Sequence, residues 1–373
     1  MLLYYCLTAW FFIILLLGLR PDSIRAVECW PERPSDNLAR INKIIVSIFV
    51  WSSFFLLWFL TAFRSAEIGN DTQNYLWYFN YFSRGINHAS KIEIGYQILN
   101  YLLNQFTHDQ HAFLVIMASL MYGGIGLYIS KYSRNTAISI CLFYCFFFSV
   151  YTNIFRQGMA MLIALYGYQF SKNGKKLPAA LLFLLATTFH TTAVVCFLLL
   201  FDLKILEKKW FVLGLTLFCA AVSLTDVLKV LVNAIVPRYA TYFEGQYASS
   251  GWLAISFYLL TYLVFYFLVN RSLDYDSKAD KIAATSFSLL LILTAFGYAV
   301  NLFERAGEYF LLIAVTELPN MLYRGKVKQF RLWLFGICAV YLVFFILILH
   351  YRPGWNHLYP YEFWPDSVFA ALR

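Results

Sequence analysis

From residue 44 to residue 63 the chain runs without one charged side chain, and Ile, Leu, Phe and Trp occupy every helical face. A helix needs about 20 such residues to cross the hydrocarbon of a bilayer. A helix that is apolar all round belongs in lipid or in a deep core rather than on a soluble surface. Further apolar runs occupy roughly 2–19, 112–130, 136–152, 157–171, 177–201, 210–225, 252–269, 282–303, 306–322 and 332–350. They are continuous and too long for the alternating segments of a membrane β-barrel. Charged residues make up only 13% of the chain and hydrophobic ones 61%, whereas soluble domains carry about 25% charged residues. The expectation is an all-α, polytopic integral membrane protein forming a single domain over residues 1–373. No internal repeat or low-complexity tract stands out.

Three simpler classes drop away. Cys6, Cys141, Cys145, Cys196, Cys219 and Cys338 lie in apolar runs, and Cys29 stands alone in a loop, so the cysteines are small hydrophobes rather than a disulfide framework or metal ligands. The first run has no basic residue before it and no small-residue cleavage site after it, and Arg20 follows. It reads as a retained span, not a signal peptide. The net charge of +9 has no basic block with interleaved aromatics outside the apolar runs, which argues against nucleic acid.

The basic residues instead set the topology, because cytoplasmic loops carry an excess of Lys and Arg. If residues 177–201 form one span, the alternating loops hold 15 basic residues on one side and 14 on the other. If that run folds back at His190, the loops 20–43, 131–135, 172–176, 202–209, 270–281 and 323–331 share a side. They then hold 20 basic residues against 9. The second arrangement is preferred, with about 12 membrane segments, a broken hairpin near His190 and both chain ends outside. Short or broken helices are tolerated in membranes where protein surrounds them, and they often line a site. The outer face then receives an extended loop at 64–111, the turn at 153–156, the tip at His190, the loop 226–251, the turn at 304–305 and the tail 351–373. Within the first loop, Ile94, Ile98, Tyr101 and Leu102 fall at helical spacing and predict a short helix lying along the interface.

The polar residues in this outer set are the candidates for chemistry. Arg64 ends a span, where a snorkelling anchor is the ordinary role. Gly69-Asn70-Asp71-Thr72 follows, and its carboxylate serves either as a helix cap or as a reactive group. Glu93 precedes the interfacial helix, whose N-terminus itself favours a carboxylate. Arg156 stands in a tight turn and His190 at the break of the hairpin. Glu304, Arg305 and Glu308 are spaced to pair with one another on a helix, so a structural ion pair competes there with function. Glu317, before Pro319, points toward the cytoplasmic half and is taken as structural.

Several arginines and a histidine beside one or two carboxylates suit a substrate with a diphosphate and a reacting hydroxyl. Arginine grips phosphate oxygens in a bidentate fork and steadies a departing diphosphate. A carboxylate takes the proton from an attacking sugar hydroxyl. No paired Asp or His set offers metal ligands, so neither metal nor other cofactor is expected.

The residues from Arg64 through Asp71 to Tyr75, then Glu93-Ile94-Gly95-Tyr96, Arg156-Gln157-Gly158, Phe189-His190-Thr191-Thr192 and Arg305 with Tyr309 occur in an order that resembles the EpsG family of bacterial polysaccharide polymerases, relatives of the O-antigen polymerase Wzy. The likeness runs from about residue 55 to residue 320, and the tail Leu358-Tyr359-Pro360-Tyr361 is similar in kind. Where the family often has Gly-Thr-Asp, this chain has Gly69-Asn70-Asp71. The resemblance implies a GT-C-like membrane glycosyltransferase of the bacterial inner membrane, with its site facing the periplasm or exterior. It would polymerise undecaprenyl-diphosphate-linked oligosaccharide repeat units for O-antigen or exopolysaccharide. Carried over by residue, Arg64, Arg156, His190 and Arg305 contact the diphosphate, Asp71 or Glu93 is the base, and Tyr75, Tyr96 and Tyr309 meet the glycan. Membrane lipids, a chain-length regulator and a flippase are the partners implied. Aromatic residues in 72–96 and 236–252 also suit sugar rings, although most aromatics in such a chain anchor at the interface.

Three rivals remain. A flippase or transporter would spread polar residues along a central path with gates on both sides. A ligase moving finished glycan uses the same diphosphate donor. A membrane acyltransferase would pair its histidine with an acid, and His190 has none adjacent.

Overall fold

The computed structural model describes residues 1–19, 37–225, 252–274, 277–324, 329–354 and 356–365, together with positions 227, 230 and 234. Cys29 and most of the loop 226–251 lie outside the described residues. Regular structure among the described residues is helical, apart from isolated β-bridge positions, among them Arg64 paired with Phe363. Five helices are long and apolar enough to cross a membrane, at Ile44–Ala62, Gln110–Tyr132, Thr136–Asn153, Lys278–Phe296 and Phe330–Tyr351. Shorter apolar helices accompany them. The chain divides into two compact units, one of residues 1–162, 188–190 and 329–373, the other of residues 163–187 and 191–328.

The first unit contains α1 (Leu2–Gly18), α2 (Asn37–Ala62), α3 (Thr72–Tyr81), α4 (Ile94–Asn104), α5 (Gln110–Tyr132) and α6 (Thr136–Asn153). It also holds the first turns of α7 (Phe155–Lys172) and all of α13 (Phe330–Tyr351), which closes the unit. Its centre is α6, a nearly continuous aromatic column packed by α1, α2, α5 and α13. Tyr144 of α6 lies flat on Phe11 of α1, ring centroids 4.0 Å apart. The opposite side of α2 faces away from protein: Ile44, Ile48, Trp51 and Phe55, spaced as one helical stripe, are all exposed. A continuous stripe of that size would drive aggregation in water and is at home against lipid.

The helix predicted from Ile94, Ile98, Tyr101 and Leu102 is present as α4, and its sidedness is instructive. Gln97, Asn100 and Asn104 are buried, whereas Ile98, Tyr101 and Leu102 are exposed. Asn104 donates to the Phe79 carbonyl of α3 at 2.8 Å. The helix turns its polar side to protein and its apolar side outward, the reverse of a soluble amphipathic helix.

The second unit is built from α9 (Lys209–Ser223), α10 (Trp252–Asn270), α11 (Lys278–Phe296) and α12 (Asn301–Arg324) around α11, which meets each of the other three. Small residues let those helices approach closely, and several of its hydroxyls bond to backbone. Thr294 donates to the Leu290 carbonyl (2.7 Å), and Ser288 to the Leu206 carbonyl of a neighbouring 3-10 turn (3.2 Å). Glu317 of α12 pairs with Lys172 at the end of α7, in keeping with a structural role.

At His190 the chain turns back on itself. One arm is α8 (Lys176–Phe189), the other a 3-10 helix over Thr191–Leu200. Phe183 before the turn meets Phe197 after it, ring centroids 5.8 Å apart, and the far ends Lys176 and Leu200 line one cavity. At 1.5 Å and 2.0 Å per residue the two arms each rise about 20 Å. The ten-residue arm therefore reaches as far as the fourteen-residue one. Its burial keeps the 3-10 period of three, with Ala193, Cys196 and Leu199 all inside.

Two boundaries differ from the sequence expectation. The turn at 153–156 contracts to the single residue Ile154, which breaks from helix at φ −116°, ψ 84°. Its N–H closes α6 on the Val150 carbonyl at 2.8 Å, and its carbonyl opens α7 by accepting from Gly158 at 2.9 Å. Arg156 therefore lies in the first turn of α7. The turn expected at 304–305 falls instead at 297–300, between α11 and α12. Glu304 and Arg305 stand in the first turns of α12, where the helix dipole favours the carboxylate.

Candidate functional site

The ends of α2, α6 and α7 come together with the segment 64–96 and the chain's tail. Arg64 is the hub of one half. Ser65 donates to the Glu362 carbonyl and Trp364 to the Phe63 carbonyl, both at 2.8 Å, so the tail runs antiparallel past Arg64. Tyr361 adds a bond from its hydroxyl to the Leu60 carbonyl at 2.7 Å. The guanidinium is wholly inside, at 0% exposure. It donates to the carbonyls of Thr61 and Ile68 and, at 3.3 Å, to the Thr72 hydroxyl. Its face lies 4.8 Å from the Phe155 ring centroid, a favourable cation–π placement. Burial lowers its pKa to about 10, and it remains charged at neutral pH. Arg64 is neither a snorkelling anchor nor open to solvent: it holds the loop that carries Asp71.

That loop turns at Gly69, whose φ of +87° is left-handed. A Cβ there would stand 2.9 Å from the Thr72 hydroxyl and 3.1 Å from the Thr152 carbonyl, so glycine answers both conformation and space. Gly69 donates to the His357 carbonyl at 3.0 Å, and Asp71 donates its N–H to Asn153 Oδ1 at 3.0 Å. Asp71 occupies the N-cap position of α3, yet its side chain makes no capping hydrogen bond. Its carboxylate is half-buried.

The other half is the junction of α4 with α7. Glu93 is also an N-cap residue without a side-chain cap bond. Its carboxylate instead takes a bond of 2.6 Å from Arg156, with side-chain exposures of 12% and 24%. A cation in the first turn of a helix opposes the dipole, so Glu93 compensates a locally unfavourable charge. The Nε of Arg156 is buried and has no hydrogen-bond partner among the described residues, an arrangement that native structures seldom leave without a purpose. Tyr75 links the halves: its ring stacks on Phe155 (5.3 Å) and meets Tyr96 edge-on (5.8 Å).

His190 enters through its neighbour. A Cβ on Gly95 would stand 2.3 Å from Thr188 Oγ1 and 2.8 Å from its carbonyl. Only glycine lets the start of α4 lie so close to the chain just before the hairpin tip, and Thr188–His190 belong to this unit. The structure thus gathers Arg64, Asp71, Tyr75, Glu93, Tyr96, Arg156 and the His190 tip. Arg305 and Tyr309 belong to the second unit. There Arg305 is half-buried, and Tyr309 is buried with the Thr192 hydroxyl donating to its own at 3.3 Å.

Tyr75 and Tyr96 are fully packed, at 3% and 0% exposure. The open aromatics of this region are Trp77 and Tyr81 on α3, stacked with centroids 4.8 Å apart. Their i, i+4 spacing places two rings on one helix face. Trp77 and Tyr81 lie within the aromatic stretch 72–96 that the sequence offers to sugar rings, whereas sequence reasoning passed over Asn153, since nothing local marks it as the partner of a residue 82 positions away.

No solved structure matches the chain. The amylovoran biosynthesis protein AmsC of Erwinia amylovora is 25% identical over 193 residues, which cover 49% of this chain and 51% of that protein. The chain thus spans about half the length of the curated relative it matches. The EpsG family model matches residues 47–363, a span that takes in Arg64, Asp71, Glu93, Arg156, His190 and Arg305 and runs to the tail at Phe363, and the chain belongs to the EpsG family.

Proposed function

We propose that this protein is a membrane glycosyltransferase that polymerises undecaprenyl-diphosphate-linked oligosaccharide repeat units for O-antigen or exopolysaccharide. It would act at the outer face of the inner membrane, on a GT-C-like scaffold of about 12 membrane segments. Family membership and the likeness to a protein of amylovoran biosynthesis support the substrate class. The 20-to-9 division of basic residues supports the orientation. The observation that carries the reading is Arg156, partly exposed, held by Glu93 at 2.6 Å and keeping a buried Nε unpaired.

In the reaction, the Asp71 carboxylate accepts the proton of an acceptor sugar hydroxyl. The hydroxyl oxygen bonds to the anomeric carbon of the donor glycan as the bond from that carbon to the lipid diphosphate breaks. The diphosphate leaves with the electron pair, and Arg156 stabilises its charge through charge-assisted hydrogen bonds. Asp71 suits the base better than Glu93, whose carboxylate is engaged by Arg156. His190 serves the diphosphate, Arg64 positions the Asp71 loop, and the Trp77–Tyr81 face offers a platform to sugar rings. No metal takes part, and a chain-length regulator and a flippase are its working partners.

Purified protein given lipid-linked repeat units and a chelator should build a ladder of polymer, and Arg156→Ala should polymerise far more slowly while remaining folded. Activity lost to chelator and restored by a divalent ion would recast the carboxylates as ligands. In the host, deletion should remove the ladder yet keep single-unit glycan. Precursor trapped inside the cell would support a flippase, and an intact ladder with no transfer to the final acceptor a ligase.

A further inference from the structure

The second unit carries a cavity of about 380 Å³ that the reaction proposed above does not use. It lies where three connections meet: the turn between α7 and α8, the end of the 3-10 arm, and the start of α11. Lys176, Lys278 and Lys281 line it, with Asp202, Ser171 and Thr285. Lys278 reaches across toward the first connection, its Nζ 3.5 Å from where a Cβ on Gly174 would stand.

The charges around this cavity do not balance. Glu207 is 3.9 Å from Lys281, a loose pair. Asp280 is buried and takes the Asp274 N–H at 2.8 Å, and Lys172 is committed to Glu317. Among the described residues Lys176 and Lys278 have no ion pair. Asp202 is then the one carboxylate in a wall with three ammonium groups. The hydroxyls are spent, since Ser171 donates to the Leu199 carbonyl (2.5 Å) and Thr285 to the Lys281 carbonyl (2.9 Å). Lys176 opens α8, and Lys278 and Lys281 stand in the first turn of α11. Each cation therefore sits at a positive helix end, where a cation is repelled and an anion is attracted.

We propose that this cavity binds a phosphate group, either that of an anionic phospholipid headgroup or that of a free phosphorylated molecule, held by Lys176, Lys278 and Lys281. Its volume is in the range of small-ligand sites and exceeds a bare phosphate, leaving room for a glycerol or similar substituent. Its three connections are among those assigned to the basic, cytoplasmic side, where juxtamembrane lysines meet anionic lipid.

The test uses the full-length protein in a neutral detergent, with phosphatidylglycerol, phosphatidylcholine and inorganic phosphate as probes and the thermal unfolding midpoint as readout. Phosphatidylglycerol should raise the midpoint and phosphatidylcholine should not. The Lys176→Gln/Lys278→Gln pair should need at least about tenfold more probe for half the effect, about threefold for each of the two lost charge-assisted contacts. Lys175→Gln, an exposed neighbour outside the cavity, should leave the response unchanged. Without any probe the double variant should unfold at the same temperature or higher, because like charges at helix starts have gone. A response to phosphatidylglycerol alone assigns the ligand to lipid, and an added response to inorganic phosphate assigns it to the phosphate whatever its source. An equal response from phosphatidylcholine, no response to any probe, or an unweakened double variant overturns the proposal. If the double variant fails to fold, either single Gln variant should be weakened about threefold, and two unweakened singles overturn it equally.

Discussion

Arg64 and Arg156 stand in the same unit, and the family resemblance gives both the same role, contact with the diphosphate. Their surroundings are opposite. Arg64 is sealed, its N–H groups turned to the Thr61 carbonyl at the end of α2, the Ile68 carbonyl of its own loop and the Thr72 hydroxyl, with the chain's tail laid across it. Arg156 is partly open, braced by one carboxylate, and keeps a donor in reserve. A cation whose donors all serve backbone is part of the frame. A cation whose partner is another movable charge can exchange it for a ligand. On the proposed reading, similar chemistry is divided between holding the loop and meeting the substrate.

The largest effect expected is from Arg64→Ala. It strands buried carbonyls that now have a charged partner, at a cost of about 3–5 kcal/mol, and thermal unfolding in detergent should show most of the folded protein lost. Were this variant to fold normally and lose only polymerisation, Arg64 would join Arg156 and the contrast would collapse. Asp71→Asn tests the loop that Arg64 holds. Polymerisation should fall about 10²–10⁴-fold, the usual worth of a general base, with an unchanged unfolding midpoint because no cap bond is lost.

Arg156→Ala should lower polymerisation about 10²–10³-fold, as for other groups that stabilise developing charge, and move the midpoint little. Arg156→Lys should recover only part, lacking the fork. A double-mutant cycle with Glu93→Gln should reveal a coupling of about 0.5–3 kcal/mol; a coupling of zero would mean that the pair is not a working unit. The smallest effect on polymerisation belongs to Gly69→Ala, whose left-handed φ and crowding against Thr72 and Thr152 cost about 1–3 kcal/mol, felt in the midpoint and in Asp71-dependent activity together.

Much of this frame is legible in the sequence because hydropathy and charge counting report on solvent. The apolar helices, the fold-back at His190 and the helix of 94–104 all leave such a mark. Breaks in hydrogen bonding leave none when the residues around them are apolar. Tyr298, Ala299 and Val300 carry the hydropathy straight through the true turn at 297–300, so Glu304 and Arg305 look like the turn instead. Ile154 hides the break between α6 and α7 in the same way. Arg64 could be found but not its burial, since its partners are carbonyls, which every residue has. The Asn153 contact with Asp71 depends on how two segments meet, and no local pattern announces it.

The 3-10 arm after His190 carries a consequence for how this segment tolerates insertions and deletions. Its buried row recurs every third residue, through Ala193, Cys196 and Leu199, whereas the α-helical arm beside it turns 100° per residue. One residue added near Val194 would swing the rest of the row about 120°, carrying Cys196 and Leu199 out of their packing. Three residues added together would restore the row and merely lengthen the arm by about 6 Å. In this one segment, tolerated length changes should come in triplets of residues, a rhythm that the arm facing it does not share.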